Sequence, residues 1–257
     1  MNVTHYLITN LLRFSPKYLR LPLEYHYLNI TGKLEREMSC LNSFITRKGR
    51  AIDIGANQGL YTYVLAKFCS VVEAFEPQPW CAELIVEYSK QFKKDINVYQ
   101  SGLSSFNGTL TLKIPVIRGR MRNTLATGLA SFSEQDCEHN SIDVPISRLD
   151  DYNFQDVVFI KIDVEGHERQ VLEGARETIL RERPTILIEI EQRHLDNISV
   201  QTVFNQIQEL QYNGFFLQDG KLVSINYFDV QFHQVNPNYY GTKNQNIYIN
   251  NFIFIPF

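Results

Sequence analysis

The chain is poor in the features that mark several large protein classes. Its 257 residues hold four cysteines, Cys40, Cys69, Cys81 and Cys137, with no C-x-x-C pair and no zinc spacing. That excludes a disulfide framework or a zinc ribbon. With no recognisable secretory leader, scarce cysteine points to a reducing, cytoplasmic setting, where triplets such as Asn107-Gly108-Thr109 carry no glycan. Thirteen glycines and nine prolines are too few for a fibrous or linker-like chain. No stretch reaches the ~20 apolar residues of a membrane-spanning helix. A net charge of −3 gives no bulk attraction to nucleic acid. Repeats, coiled-coil heptads and low-complexity tracts are missing, which argues against a purely structural role. What remains is 44% hydrophobic and 21% charged, an ordinary globular composition with enough chain for one large core.

The most informative segment present is Ala51 to Thr62, AIDIGANQGLYT. Ala51, Ile52 and Ile54 read as the end of a buried strand that Asp53 interrupts. Gly55 and Gly59 bracket a turn, and Leu60, Tyr61, Val64, Leu65 and Phe68 then recur at helical spacing. Strand, glycine turn and helix together present backbone N–H groups to a ligand at the carboxyl edge of a parallel sheet. A P-loop needs Lys and Ser or Thr after its last glycine, and here Leu60 and Tyr61 follow. A dinucleotide fingerprint needs a middle glycine, where this turn has Ala56-Asn57-Gln58. An S-adenosylmethionine (SAM) site remains, with Asp53 near the cofactor's ammonium group or capping the turn.

A second strand, Val71 to Phe75, ends at Glu76-Pro77. Glu76 lies 23 residues after Asp53, close to the ~20 expected for an acid that grips a ribose diol. Trp80 opens the next helical pattern, either flanking the adenine or packed in the core. Val157 to Ile162 is the most strand-like run and delivers Asp163, Glu165 and His167 to the ligand edge. A helix over 169–180 follows it. Thr185 to Ile190 is a further buried strand that brings Glu191 and His194 to the same edge.

In these strings the chain resembles the FkbM family of SAM-dependent methyltransferases. The likeness is carried by DIGANQGLYT (53–62), FEP (75–77), QSGLSSFNGTL (100–110), RLDDY (148–152), FIKIDVEGHERQVLEGA (159–175) and RPTILIEIEQRH (183–194). It implies an α/β, Rossmann-like methyltransferase fold: a mostly parallel seven-stranded sheet closed by an antiparallel terminal strand. It also implies methyl transfer to oxygen, often on a sugar or natural product. On that basis the cofactor residues are Asp53, Gly55, Ala56, Asn57, Gly59, Tyr61, Thr62, Glu76, Pro77, Ser101, Gly102 and Asp163, with Ser101-Gly102 beside the adenine.

A sulfonium methyl is already electrophilic, so positioning dominates the reaction. An alcohol acceptor must still lose a proton, and a general base contributes ~10²–10⁴ in rate. Glu165, His167, Glu191 and His194 are the candidates. Asp163 and Glu165 with a histidine are also a hard O/N set for a divalent metal; a metal-free base is the expectation.

The expected organisation is an N-terminal helical extension over 1–48, then the methyltransferase domain over 49–257 with a recognition insertion at about 113–142. Residues 1–50 carry eight Lys or Arg against three acids, so the extension either packs on the substrate side or touches an anionic membrane as a peripheral helix. Thr109 to Ile114 reads as an added strand. The irregular stretch from Arg118 to Asn140 reads as a substrate flap, with Arg118, Arg120 and Arg122 able to hold an anion. Gly214 to Ile225 reads as a hairpin, Asn251 to Pro256 as the last strand, and 236–241 as an aromatic, Asn-rich loop suited to sugars. The expected partner is a small-molecule or glycan hydroxyl acceptor, in a monomer or a homodimer. A non-catalytic SAM-binding scaffold and a nicotinamide-dependent oxidoreductase are the alternatives.

Overall fold

The computed structural model describes residues 15–118, 123–125, 130–132, 138–195, 197–234 and 248–257. The readings at residues 6–13, Arg120, Arg122, Cys137 and 236–241 lie outside them, as does the side chain of Arg118. Two helices, α1 (Lys17–Ile30) and α2 (Arg36–Phe44), precede strand β1 (Arg50–Ile54). There follow α3 (Leu60–Leu65), β2 (Val71–Phe75), α4 (Pro79–Phe92), β3 (Ile96–Tyr99), β4 (Gly102–Leu103), β5 (Gly108–Arg118), β6 (Asn123–Leu125) and β7 (His139–Ser147). The second half runs β8 (Val157–Ile162), α5 (Glu168–Gly174), α6 (Arg176–Glu182), β9 (Thr185–Glu189), α7 (Val200–Gln208), β10 (Tyr212–Gln218), β11 (Lys221–Ser224), α8 (Val230–His233) and β12 (Asn251–Pro256).

The main sheet has the order β11-β10-β12-β9-β8-β1-β2-β3. Strands β3, β2, β1, β8 and β9 are parallel, and β12 enters antiparallel between β9 and β10. Strand β8 is buried at all six positions, as a central parallel strand covered on both faces must be, so it reads as an apolar run broken only by Lys161. Ile52, Ile54, Ile160, Ile162, Ile186 and Ile188 pack on the face that α5 and α7 cover. Ala51, Val72, Phe159, Leu187 and Ile253 pack with Leu21 and Leu41 of the N-terminal helices on the other. The period of two along each strand separates these two cores.

Three expectations need correction. The sheet has eight strands, because the hairpin partner β11 continues it beyond the expected seven. Asp219 and Gly220 close that hairpin with φ of 50° and 73°, the twist-matched two-residue turn. The added strand is present as part of β5, and β4, β7, β5 and β6 form a second sheet. The stretch read as irregular holds β6 and the start of β7. In β7 the alternation Ile142, Val144, Ile146 was legible, but Pro145 masks it; that proline sits where β7 has β5 alone beside it.

The helix expected over 169–180 is in fact two, broken at Ala175. Gly174 sets the break. A Cβ there would stand 1.9 Å from the Ser104 carbonyl oxygen, so the chain turns where helix and loop backbones touch. Gly174→Ala should therefore destabilise the fold by about 3 kcal/mol through overpacking. Urea unfolding should show a lower midpoint at unchanged slope; an unmoved midpoint would refute this contact.

Candidate active site

The glycine turn after β1 takes its shape from three left-handed positions, of which Asn57 (φ 49°) is the one that is not glycine. Gly55 has φ 77° and Gly59 φ 92°. A Cβ on Gly55 would lie 1.8 Å from the carbonyl oxygen of Asp163, and one on Gly59 would lie 2.6 Å from Ile85 Cγ1. Only glycine lets the β1 and β8 loops meet this closely. The Gly55 and Ala56 N–H groups both donate to the Phe75 carbonyl at 3.0 Å, tying the turn to the end of β2. Asp53 is 1% exposed and accepts the Thr62 hydroxyl at 2.5 Å. It thus clasps α3 from behind the turn, and burial pushes its pKa up to about 6.

Glu76 stands at the end of β2, 2% exposed. Its Oε2 accepts the Asn57 N–H at 2.6 Å and its Oε1 the Gln78 N–H at 2.8 Å. Two backbone donors fix the carboxylate plane and leave lone pairs for a ligand diol. A cleft with about 550 Å³ of empty space, partly open to solvent, runs past this group. Gly55, Asn57, Glu76, Pro77, Gly102, Asp163 and Glu165 are among the residues that line it. Ala56, Gly59, Tyr61, Thr62 and Ser101 are not among the lining residues; Ser101, next to Gly102, carries a buried Oγ without a hydrogen-bond partner. Trp80 is half-exposed and stands outside the lining.

One wall escaped the sequence reading. Leu103, Leu112, Ala130 and Phe132 of the second sheet region also line the cleft. Ser131 pairs with Lys113 through both backbone bonds at 2.9 Å and donates its hydroxyl to the Glu165 carbonyl at 2.5 Å. The insertion is thereby pinned over the β8 loop.

The structure divides the four acid–base candidates. Glu165, in the left-handed region at φ 48°, turns its carboxylate to His194, with Oε2 2.6 Å from Nδ1. Such strain in a non-glycine residue persists only where surrounding contacts enforce it. Burial alone would lower the His194 pKa, yet the bond and charge of Glu165 outweigh it and hold the imidazole above its ordinary value. Glu191 is 5% exposed and locked by Arg193 at 2.6 and 3.0 Å and by the Tyr248 hydroxyl. Those partners overcome burial and keep it below the usual carboxylate range. His167 points elsewhere: its Nε2 is 2.9 Å from Ser104 Oγ, its ring meets Phe132 edge-on, and burial lowers its pKa to about 4. Among the described residues, no group of three or more His, Cys, Asp or Glu is arranged to hold a metal.

Glu76 is pushed up to about 7, chiefly by burial against the bonds from Gln78 and Asn57. Its folded pKa exceeds the ordinary ~4.5 of an unfolded chain, so its contribution to stability is complete below about pH 4.5 and lost as pH rises through about 7. We expect the wild type to lose stability relative to Glu76→Gln between about pH 5 and about pH 8. Urea midpoints of both proteins at the two pH values measure this; a constant difference would contradict it.

A parallel sheet in this order, with a glycine cradle at β1, a buried acid ending β2 and acidic loops at β8, is the Rossmann-like fold of a SAM-dependent methyltransferase. The sequence profile of the Methyltransferase FkbM domain matches residues 53–217, and the chain belongs to that family. S-adenosylmethionine is its cofactor. Among solved structures, the FkbM methyltransferase of Methylobacillus flagellatus KT superposes with TM-score 0.52 at 15% identity, over 96% of this chain and 57% of its own. This chain therefore spans little more than half of that neighbour. An rRNA methylase of Streptococcus thermophilus has TM-score 0.47 and 11% identity, over 86% of this chain and 93% of its own. A precorrin-6y C5,15-methyltransferase of Geobacter metallireducens GS-15 has TM-score 0.43 and 10% identity, over 85% and 86%. At 15% identity the likeness to the Methylobacillus flagellatus KT protein describes the fold alone. No curated protein matches the chain.

Proposed function

We propose that the protein methylates a hydroxyl of a sugar, glycan or natural product, with His194 as general base. The observation that carries this reading is the His194–Glu165 pair, joined at 2.6 Å, with Glu165 lining the cleft. When bound, SAM supplies a methyl group on a positive sulfur, already electrophilic. The cleft fits it: the Gly55 cradle, the fixed Glu76 carboxylate, the orphan Ser101 Oγ and the apolar wall answer to a nucleoside with an amino-acid end.

Each residue then has a part. Glu76 would accept the ribose hydroxyls, Asp163 would face the ammonium group, and Leu112 and Phe132 would keep water from the adenine side. Glu165 accepts from Nδ1 of His194 and so leaves Nε2 to take the acceptor's proton, the same division of labour as in hydrolase triads. Glu191 and His167 are already committed, Glu191 to Arg193 and Tyr248 and His167 to Ser104, and are not bases in this reading. No divalent metal is invoked, so a chelator should leave turnover unchanged. The setting is cytoplasmic, with the N-terminal helices beside the acceptor.

Incubating the protein with methyl-labelled SAM and a cell extract, then locating the label by mass, tests the reading. An O-methylated small molecule or glycan is the expected product. Label in RNA or on nitrogen would overturn it. Retained cofactor without transfer to any acceptor would favour the scaffold alternative.

A further inference from the structure

Under the cleft lies a cation that the mechanism above does not use. Lys161 is 1% exposed, on strand β8 in the middle of the sheet. It sits in register with Asp53 of β1, on the face that carries Phe159 and Leu187. A lysine there forfeits its hydration and needs charged partners to persist. Its Nζ stands 3.4 Å from Asp163 Oδ2, donates to the Ile162 carbonyl at 3.4 Å, and lies 4.9 Å from the ring centroid of Tyr61. Tyr61 is fixed in turn, its hydroxyl donating to Glu35 at 2.6 Å, and Asn251 donates to the same oxygen at 3.3 Å.

Asp163 is the one of these partners that reaches the cleft. Its side chain is 32% exposed and lines the cleft beside Gly55. We propose that Lys161 is a positioning residue of the methyl-donor site, holding the Asp163 carboxylate in the direction that receives the ammonium end of the cofactor. Without that anchor the carboxylate has a free rotamer and competes for water. Burial alone would lower the lysine's pKa, but Asp163 and Glu189, followed by Glu35 and Asp53, hold it above the ordinary value. The anchor is thus charged throughout the neutral range.

The inference rests on the donor site placed above, and the two are separable by experiment. Titration calorimetry with S-adenosylhomocysteine would compare the wild type with Lys161→Met, Asp163→Asn and the double variant. Removing a hydrogen bond to a charged group typically lowers affinity by about 10-fold or more. Both single variants should show such a loss, and the double variant should be no weaker than Asp163→Asn, since contacting residues acting on one interaction are not additive. Unchanged affinity in Asp163→Asn would overturn the placement of the donor site. A loss in Asp163→Asn with wild-type affinity in Lys161→Met would overturn the present inference alone, as would fully additive losses. Should Lys161→Met not fold, Lys161→Gln repeats the test; failure of both to fold would make the lysine a purely structural cation and overturn the proposal.

Discussion

His194→Ala should lower the rate of methyl transfer by about 10²–10⁴, the range for loss of a general base. Cofactor affinity should stay within about twofold, because His194 itself does not line the cleft. The rate is read in single turnovers with the acceptor found by labelling. The pH profile sharpens the test. Glu165 holds the imidazole pKa above its ordinary value, and a base acts when neutral, so the rate should climb through a pKa above about 6.5. Glu165→Gln should shift that limb toward acid, since it removes the charge that stabilises the imidazolium. A His194→Ala rate close to wild type would end His194's candidacy. His167→Ala is the contrasting case: its ring lies between Ser104 and Phe132, so it should cost stability and leave the alkaline limb in place.

Gly55→Ala should reduce cofactor affinity by about 100-fold or more. The substitution combines a left-handed backbone, costing about 1–2 kcal/mol for any other residue, with a Cβ 1.8 Å from a backbone oxygen that cannot rotate away. Relief requires the β1 and β8 loops to part, which widens the cradle and moves Asp163. Gly220→Ala provides the control. Its φ is 73°, but a Cβ there meets nothing within 4 Å, so it should lower stability by about 1 kcal/mol and leave binding unaffected. Calorimetry with S-adenosylhomocysteine and thermal melts of both variants separate the two effects. Equal affinity in Gly55→Ala and wild type would show that the cradle does not touch the cofactor.

Much of the donor half was legible because its signals are local. A buried parallel strand is an apolar run, a tight turn needs glycine at φ above zero, and both fall within the twelve residues from Ala51 to Thr62. Glu76 followed from an interval along the chain. The wall formed by Leu112 and Phe132 was not legible, since it depends on β5 and β7 pairing at long range and on Gly102 leaving room for the ring. Lys161 is one charged residue in an otherwise apolar strand, and only register shows that it lies beside Asp53.

The sequence by itself determined the methyltransferase fold, the family and the glycine turn after β1, because strand hydrophobicity and glycine backbone freedom act over a few residues. The tertiary structure decided which of the acid–base candidates meet. Glu165 and Gly166, with φ of 48° and 97°, swing the chain so that Glu165 meets His194 beyond β9 while the nearby His167 turns under the inserted sheet. Which side chains meet across a sheet edge is set by strand order and loop reversal, and neither is written in the spacing of residues.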